Sequence, residues 1–213
     1  PGPGTGVLFS YPTTDYLTLM TGSINGAGAD DNFGITSAPG ADGYAFTGGA
    51  AVANESGNAE LQACFHWGPW GDSGVGGGQT IEEHILGLNL WGTWTPETFD
   101  DRLLLAFNTS AWFGGDYSSG NAAEAYAVAL YSKYLLTDMV SLAGRFEYNH
   151  DGDGQFGGFG GESDVWGWTG TVGLHLFEDL LLRAEYRVDG GGDIVANGDD
   201  LAQTIALQAV YSF

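Results

Sequence analysis

The stretch LLLRAEYRVD (180–189) decides the fold. Leu182, Ala184, Tyr186 and Val188 alternate with Arg183, Glu185, Arg187 and Asp189, so an extended chain puts the apolar set on one face and the ionic set on the other. The pattern returns in VSLAGRFEYN (140–149), where Val140, Leu142, Phe146 and Tyr148 alternate with Ser141, Arg145, Glu147 and Asn149. WGWTGTVGLHL (166–176) sets Trp166, Trp168, Val172, Leu174 and Leu176 against Gly167, Thr169, Thr171, Gly173 and His175. In the last segment Ile205, Leu207, Ala209, Tyr211 and Phe213 alternate with Thr204, Ala206, Gln208, Val210 and Ser212. Each is a strand of about ten residues with one apolar face, which at ~3.3 Å per residue and ~45° tilt crosses the ~25 Å apolar band of an outer membrane.

Worked outward, the same reading gives eleven strands, at 6–12, 15–25, 43–54, 58–68, 79–95, 101–113, 123–136, 139–150, 164–177, 180–189 and 202–213. Short turns, PTTD (12–15), ESGN (55–58), TPETFDD (95–101), LTDM (136–139) and FED (177–179), alternate with longer segments around 25–43, 69–79, 113–123, 150–164 and 189–201. Transmembrane barrels have such tight turns on one side and longer loops on the other, whereas a sandwich has no reason to keep that order. The expected fold is all-β, an up-and-down antiparallel transmembrane barrel forming one domain over 1–213. Phe213 ends a strand on the short-turn side, and eleven strands counted back place Pro1 on the opposite side. Bacterial barrels usually have an even strand count, so twelve or more strands are expected, with one or more missing before Pro1.

Composition narrows the function. The chain has 27 acidic and 5 basic residues, a formal net charge of −22, which argues against a nucleic-acid partner. Cys64 is alone, which excludes an intramolecular disulfide and any CxxC site. No apolar run approaches the ~18–20 residues of a membrane helix.

Several pieces carry a resemblance. "YSKYLLTDMVSLAGRFEYNHD" (131–151), "GTVGLHLFEDLLLRAEYRVD" (170–189) and "GVLFSYPTTDYLTLMTGSINGA" (6–27) are strand–turn–strand units. QFGGFGG (155–161) precedes a Trp-bearing strand, and the chain ends "ALQAVYSF" (206–213). These resemble the β-barrel porin family that includes OmpL-like proteins. The resemblance implies a multi-pass outer-membrane porin, in contact with membrane lipid and lipopolysaccharide, passing small hydrophilic solutes. The ending, with Tyr211 and Phe213, resembles the signal read by the barrel-assembly machinery. Porins often form trimers, so a homo-oligomer is compatible with this reading, although no stretch marks a contact.

The basic residues are Arg102, Lys133, Arg145, Arg183 and Arg187. Alternation turns the last four inward, together with Glu147 and Glu185, because a charge on the lipid face costs ~2–4 kcal/mol near the midplane. Lys133, Arg145, Glu147, Arg183, Glu185, Arg187, Asn108 and Gln208 are therefore the expected pore-lining residues, either screening solutes or filling the lumen with ion pairs. Few inward basics among many acids favour a mild cation preference.

Acids crowd the long segments: Asp30, Asp31, Asp42, Asp116, Asp151, Asp153, Glu162, Asp164, Asp189, Asp193, Asp199 and Asp200. DGDGQFGGFGGE places Asp151, Asp153 and Glu162 at calcium-loop positions, but Phe156 stands where the turn needs Gly. A hydrated polar loop is the plainer reading, and no cofactor is expected.

His66, His84, His150 and His175 are scattered, without GxSxG or HExxH spacing, so no enzyme is expected. The tryptophans sit mostly towards strand ends, as interfacial girdles do. Trp91 or Trp112 could stack on sugars if they face the lumen. The chief rival is a non-conducting barrel serving as anchor or scaffold; a soluble sandwich and an outer-membrane lipid hydrolase come after it.

Overall fold

The computed structural model describes residues 6–25, 44–69, 84–116, 122–152, 163–176, 180–191 and 201–211. Eleven strands occupy them: β1 (Gly6–Pro12), β2 (Leu17–Asn25), β3 (Tyr44–Ala53), β4 (Ala59–Pro69), β5 (His84–Trp94), β6 (Leu103–Asp116), β7 (Ala122–Leu135), β8 (Val140–Asp151), β9 (Ser163–His175), β10 (Leu180–Gly190) and β11 (Leu201–Tyr211). They form one sheet in the order of the chain. The pairs β1–β2, β2–β3, β8–β9, β9–β10 and β10–β11 are antiparallel. Among the described residues no helix is long and apolar enough to cross a membrane, a test that says nothing of strands.

The strand boundaries follow local chemistry. At the β1–β2 turn the Thr14 hydroxyl accepts the N–H groups of Tyr16 (3.2 Å) and Leu17 (3.0 Å). Thr137 repeats the device between β7 and β8, accepting from Met139 (3.2 Å) and Val140 (3.0 Å). Both satisfy turn donors that a tight reversal would otherwise orphan. Between β5 and β6 a 3-10 turn, Glu97–Phe99, runs into Asp100 and Asp101, both left-handed at φ 50° and 58°. Aspartate tolerates this conformation better than most residues.

One expectation fails in part. β6 and β7, at 14 residues each, are the longest strands among the described residues, and the segment between them is only 117–121. The β5–β6 connection, 95–102, exceeds it, so short and long connections do not alternate strictly. Gly114 takes a positive φ of 103° within β6, a conformation open to glycine without the steric clash a Cβ would bring.

Two compact units divide the chain. The first holds 1–55, 61–90 and 110–125; the second holds 56–60, 91–109 and 126–213. Among the described residues neither builds an interior of large side chains. Among the described residues the buried apolar ones are Ala45, Ile85 and Ala125, while Leu207 is 82% and Ile205 77% exposed. A soluble domain of this size would bury about 70% of its surface.

In the first unit Phe9, Tyr11, Leu19, Phe65 and Leu88 line an open apolar trough of about 720 Å³. In the second, Trp94, Leu105, Phe107, Leu130, Phe146 and Trp168 line one of about 610 Å³. Contiguous exposed apolar surface on this scale marks a face that meets something other than water.

Candidate functional site

The opposite face of the second unit carries the chemistry, and the register assigns it residue by residue. Opposed residues in antiparallel strands share a face. Arg145 of β8 lies opposite Thr169 of β9, which lies opposite Arg187 of β10 and then Thr204 of β11. The next row is Glu147, Gly167, Asp189 and Ala202. On the other side run Ala143, Thr171, Glu185 and Ala206, followed by Ser141, Gly173, Arg183 and Gln208. Five of the expected wall residues on β8 and β10, with Gln208 on β11, therefore share one face. Val172, Leu174, Leu182, Tyr186, Ile205 and Leu207 take the other.

The charges are joined. Arg145 pairs with Glu147 along β8. Arg187 binds Asp189 through Nε at 2.9 and 2.8 Å and through Nη2 at 2.6 Å. Arg187 Nη2 also reaches Glu147 at 2.5 Å. That last contact bridges β8 and β10, which lie two strand spacings apart, roughly 10 Å.

Gly167 makes the bridge feasible. A Cβ on it would stand 2.8 Å from Asp189 Oδ1 and 2.9 Å from Glu147 Oε1, so both carboxylates occupy the place a side chain would take. Thr171 donates to Glu185 at 3.3 Å, and Arg183 donates to Gln208 Oε1 at 3.5 Å. Tyr131 of β7 lies under Arg145, its ring centre 5.8 Å from the guanidinium carbon. Alternation puts Lys133 on the side of Tyr131, and Lys133 lines a cleft of about 260 Å³ with Arg145, Thr169, Thr171, Glu185 and Arg187. Leu105 and Phe107 of β6 line the apolar trough, which sends Asn108 to the charged side.

The expected wall residues thus share a face in the second unit. Asp189, the last of the alternating ionic set and the start of an expected long segment, lies within β10 as the second carboxylate of the network. The pairing and the role of Gly167 escaped the sequence, since an alternation pattern shows which face a residue takes but not which neighbour it reaches. Of the calcium-loop residues, Asp151 ends β8 opposite Ser163 at 6% exposure, while Asp153 and Glu162 lie outside the described residues. Tyr211 is 65% exposed on the apolar face; Phe213 lies outside the described residues.

Histidines form three separate arrangements, one of them His66 edge-on to Trp112 at 6.3 Å in the first unit. Ser141 Oγ and His175 Nε2 meet at 3.3 Å on the charged face, near the turn end. At the far end and on the opposite face, His150 Nδ1 lies 2.8 Å from Asp164 Oδ1, Tyr148 donates to the same oxygen at 2.5 Å, and Tyr126 stacks on His150 at 4.8 Å. The Ser–His and His–Asp pairs are at opposite ends of β8, so they do not assemble a nucleophile–base–acid array. In the first unit, Trp112 covers Gly87, its ring 2.5 Å from where a Cβ would stand. Gly87 alternates with the trough residue Leu88, so Trp112 is on the side away from the trough. Trp91 likewise faces away from Trp94.

A family model described as "Putative beta-barrel porin-2, OmpL-like" matches residues 1–213. The outer membrane channel DcaP of Acinetobacter baumannii superposes with TM-score 0.67 at 13% identity, over 98% of this chain and 62% of that one. OmpT, an outer membrane protein of Vibrio cholerae, gives 0.56 at 14% identity over 97% and 59%. An anion-selective porin from Comamonas acidovorans gives 0.59 at 11% over 96% and 54%. These likenesses are of fold, and the chain spans less than two thirds of each of those proteins. No curated protein matches it.

Proposed function

The chain belongs to the OmpL-like β-barrel porin family, and from that membership we propose that it walls a water-filled passage through the outer membrane for passive diffusion of small hydrophilic solutes. One observation carries the reading: in the second unit the sheet has a solvent-open apolar face and, on its reverse, an ion-paired polar face. Lipid on the first side and water on the second satisfies both, since a buried charge without water or partners is costly.

Lys133, Arg145, Glu147, Arg183, Glu185, Arg187, Asn108 and Gln208 are the proposed lining, joined by Thr169, Thr171 and Asp189. The passage lowers the cost of crossing by keeping the solute hydrated, and fixed charges bias which ions enter. This requires no catalytic group. Membrane lipid on the apolar face is the companion proposal, with the barrel-assembly machinery reading the aromatic strand β11. The test is conductance of the full-length protein in a planar bilayer. Discrete steps are expected; silence at high protein load rejects the passage and leaves an anchor or scaffold.

A further inference from the structure

The chain's charge and the charge of this wall have opposite tendencies. Across the sequence acids outnumber bases 27 to 5, yet four of those bases, Lys133, Arg145, Arg183 and Arg187, lie on one polar face of β7, β8 and β10. The cleft of about 260 Å³ on that face is lined by Lys133, Arg145 and Arg187 against one carboxylate, Glu185. Glu147 and Asp189 neutralise part of the arginine charge from beside the cleft.

Lys133 forms no ion pair among the described residues, and Glu185 accepts its hydrogen bond from a neutral threonine, Thr171. The two guanidiniums are held by Glu147 with donors to spare, because a guanidinium carries five N–H groups. Thr169, 8% exposed, sits in the row between them. Tyr131 supports Arg145 from below. Guanidinium donors, an ammonium without an ion pair among the described residues and the Thr169 hydroxyl beside them describe a receptor for an oxyanion.

We propose that this cleft is an anion subsite on the wall of the passage, taking small solutes that carry a carboxylate or a phosphate group. It rests on the porin reading for its access from water. The subsite draws a permeating anion to Lys133, with Arg145 and Arg187 supplying directional N–H donors. Glu185 sets the affinity low enough for release by repelling the ligand, as a conducting site requires.

Succinate and inorganic phosphate are the probes, added to the full-length protein in a planar bilayer and, separately, in equilibrium dialysis against detergent-solubilised protein. Open-channel current should fall with millimolar probe. Lys133→Gln should weaken the block by about five-fold, the scale of one partly exposed charge contact. Glu185→Gln should strengthen it by a similar factor, and this variant keeps the test alive should Lys133→Gln fail to fold.

Block by succinate alone assigns a carboxylate subsite, and block by phosphate alone a phosphate subsite. Channels indifferent to both probes overturn the subsite and leave the passage standing, as do variants that leave the block unchanged or move it the other way. Dialysis that binds probe without any conductance overturns the passage and keeps the subsite. Failure of both measurements overturns both.

Discussion

Glu147 shows how much one position decides on this wall. Its carboxylate holds two guanidiniums of different strands, with 13% of its side chain exposed. Glu147→Gln leaves Arg145 and Arg187 facing each other across Thr169, so stability in detergent should fall by about 1–2 kcal/mol, between the worth of exposed and buried pairs. The same change should move the zero-current potential in a salt gradient towards anions. Urea unfolding and bilayer recording check the two effects, and an unaltered potential would place Glu147 away from the passage.

Gly167→Ala removes no charge but presses a methyl group against both carboxylates. It should mimic the stability loss while leaving selectivity closer to the parent, which separates geometry from charge. Alternation assigned the faces of Arg145, Glu147, Glu185 and Arg187 because side-chain direction in a strand depends on parity alone. The Glu147–Arg187 bridge was not legible, since 40 residues separate the partners and only the β8–β9–β10 register brings them together.

At the scale of the strand, face identity is the testable quantity. Val172 and Thr171 are neighbours on β9, yet Val172 is 44% exposed on the apolar face and Thr171 bonds Glu185 on the polar one. Val172→Arg should cost up to about 2–4 kcal/mol by placing a charge on the face proposed to meet lipid, whereas Thr171→Arg should cost far less. Folding yield into vesicles of both variants checks this, and equal yields would contradict the assignment.

Strand ends were readable where turn chemistry was local, as at Thr14 and Thr137. Around 113–123 β6 runs on to Asp116 through Gly114, which has a positive φ, a backbone angle that composition does not reveal.

At the scale of the whole molecule, the unusual fact is how few apolar side chains are buried among the described residues. Exposed Phe9, Tyr11, Trp94, Phe146, Trp168, Ile205 and Leu207 predict that the protein keeps its sheet in detergent or lipid and aggregates on dilution into buffer. Circular dichroism with light scattering reads this directly, and a clear, folded solution without amphiphile would rule out lipid on the apolar face. Cys64 offers a native probe of the other face. It is half-buried and lies on the side opposite Phe65, its sulfur accepting from Gln62 at 3.0 Å. With lipid on the apolar face as proposed, the reverse face of the first unit meets water, so a membrane-impermeant thiol reagent should label Cys64 in intact vesicles. Full protection of Cys64 in a conducting barrel would place it outside the water path.

The sequence alone determined strand number, near-true strand limits and the face of each charged residue on β8 and β10. All follow from period-two patterning and turn residues, which are local properties of an extended chain. Tertiary structure alone decided which charges meet, that Gly167 makes room for them, and that Lys133 lines the cleft with Arg145 and Arg187 while Glu185 stands opposite in charge. Those contacts depend on register between strands distant in sequence, and register is set by the pairing of whole strands.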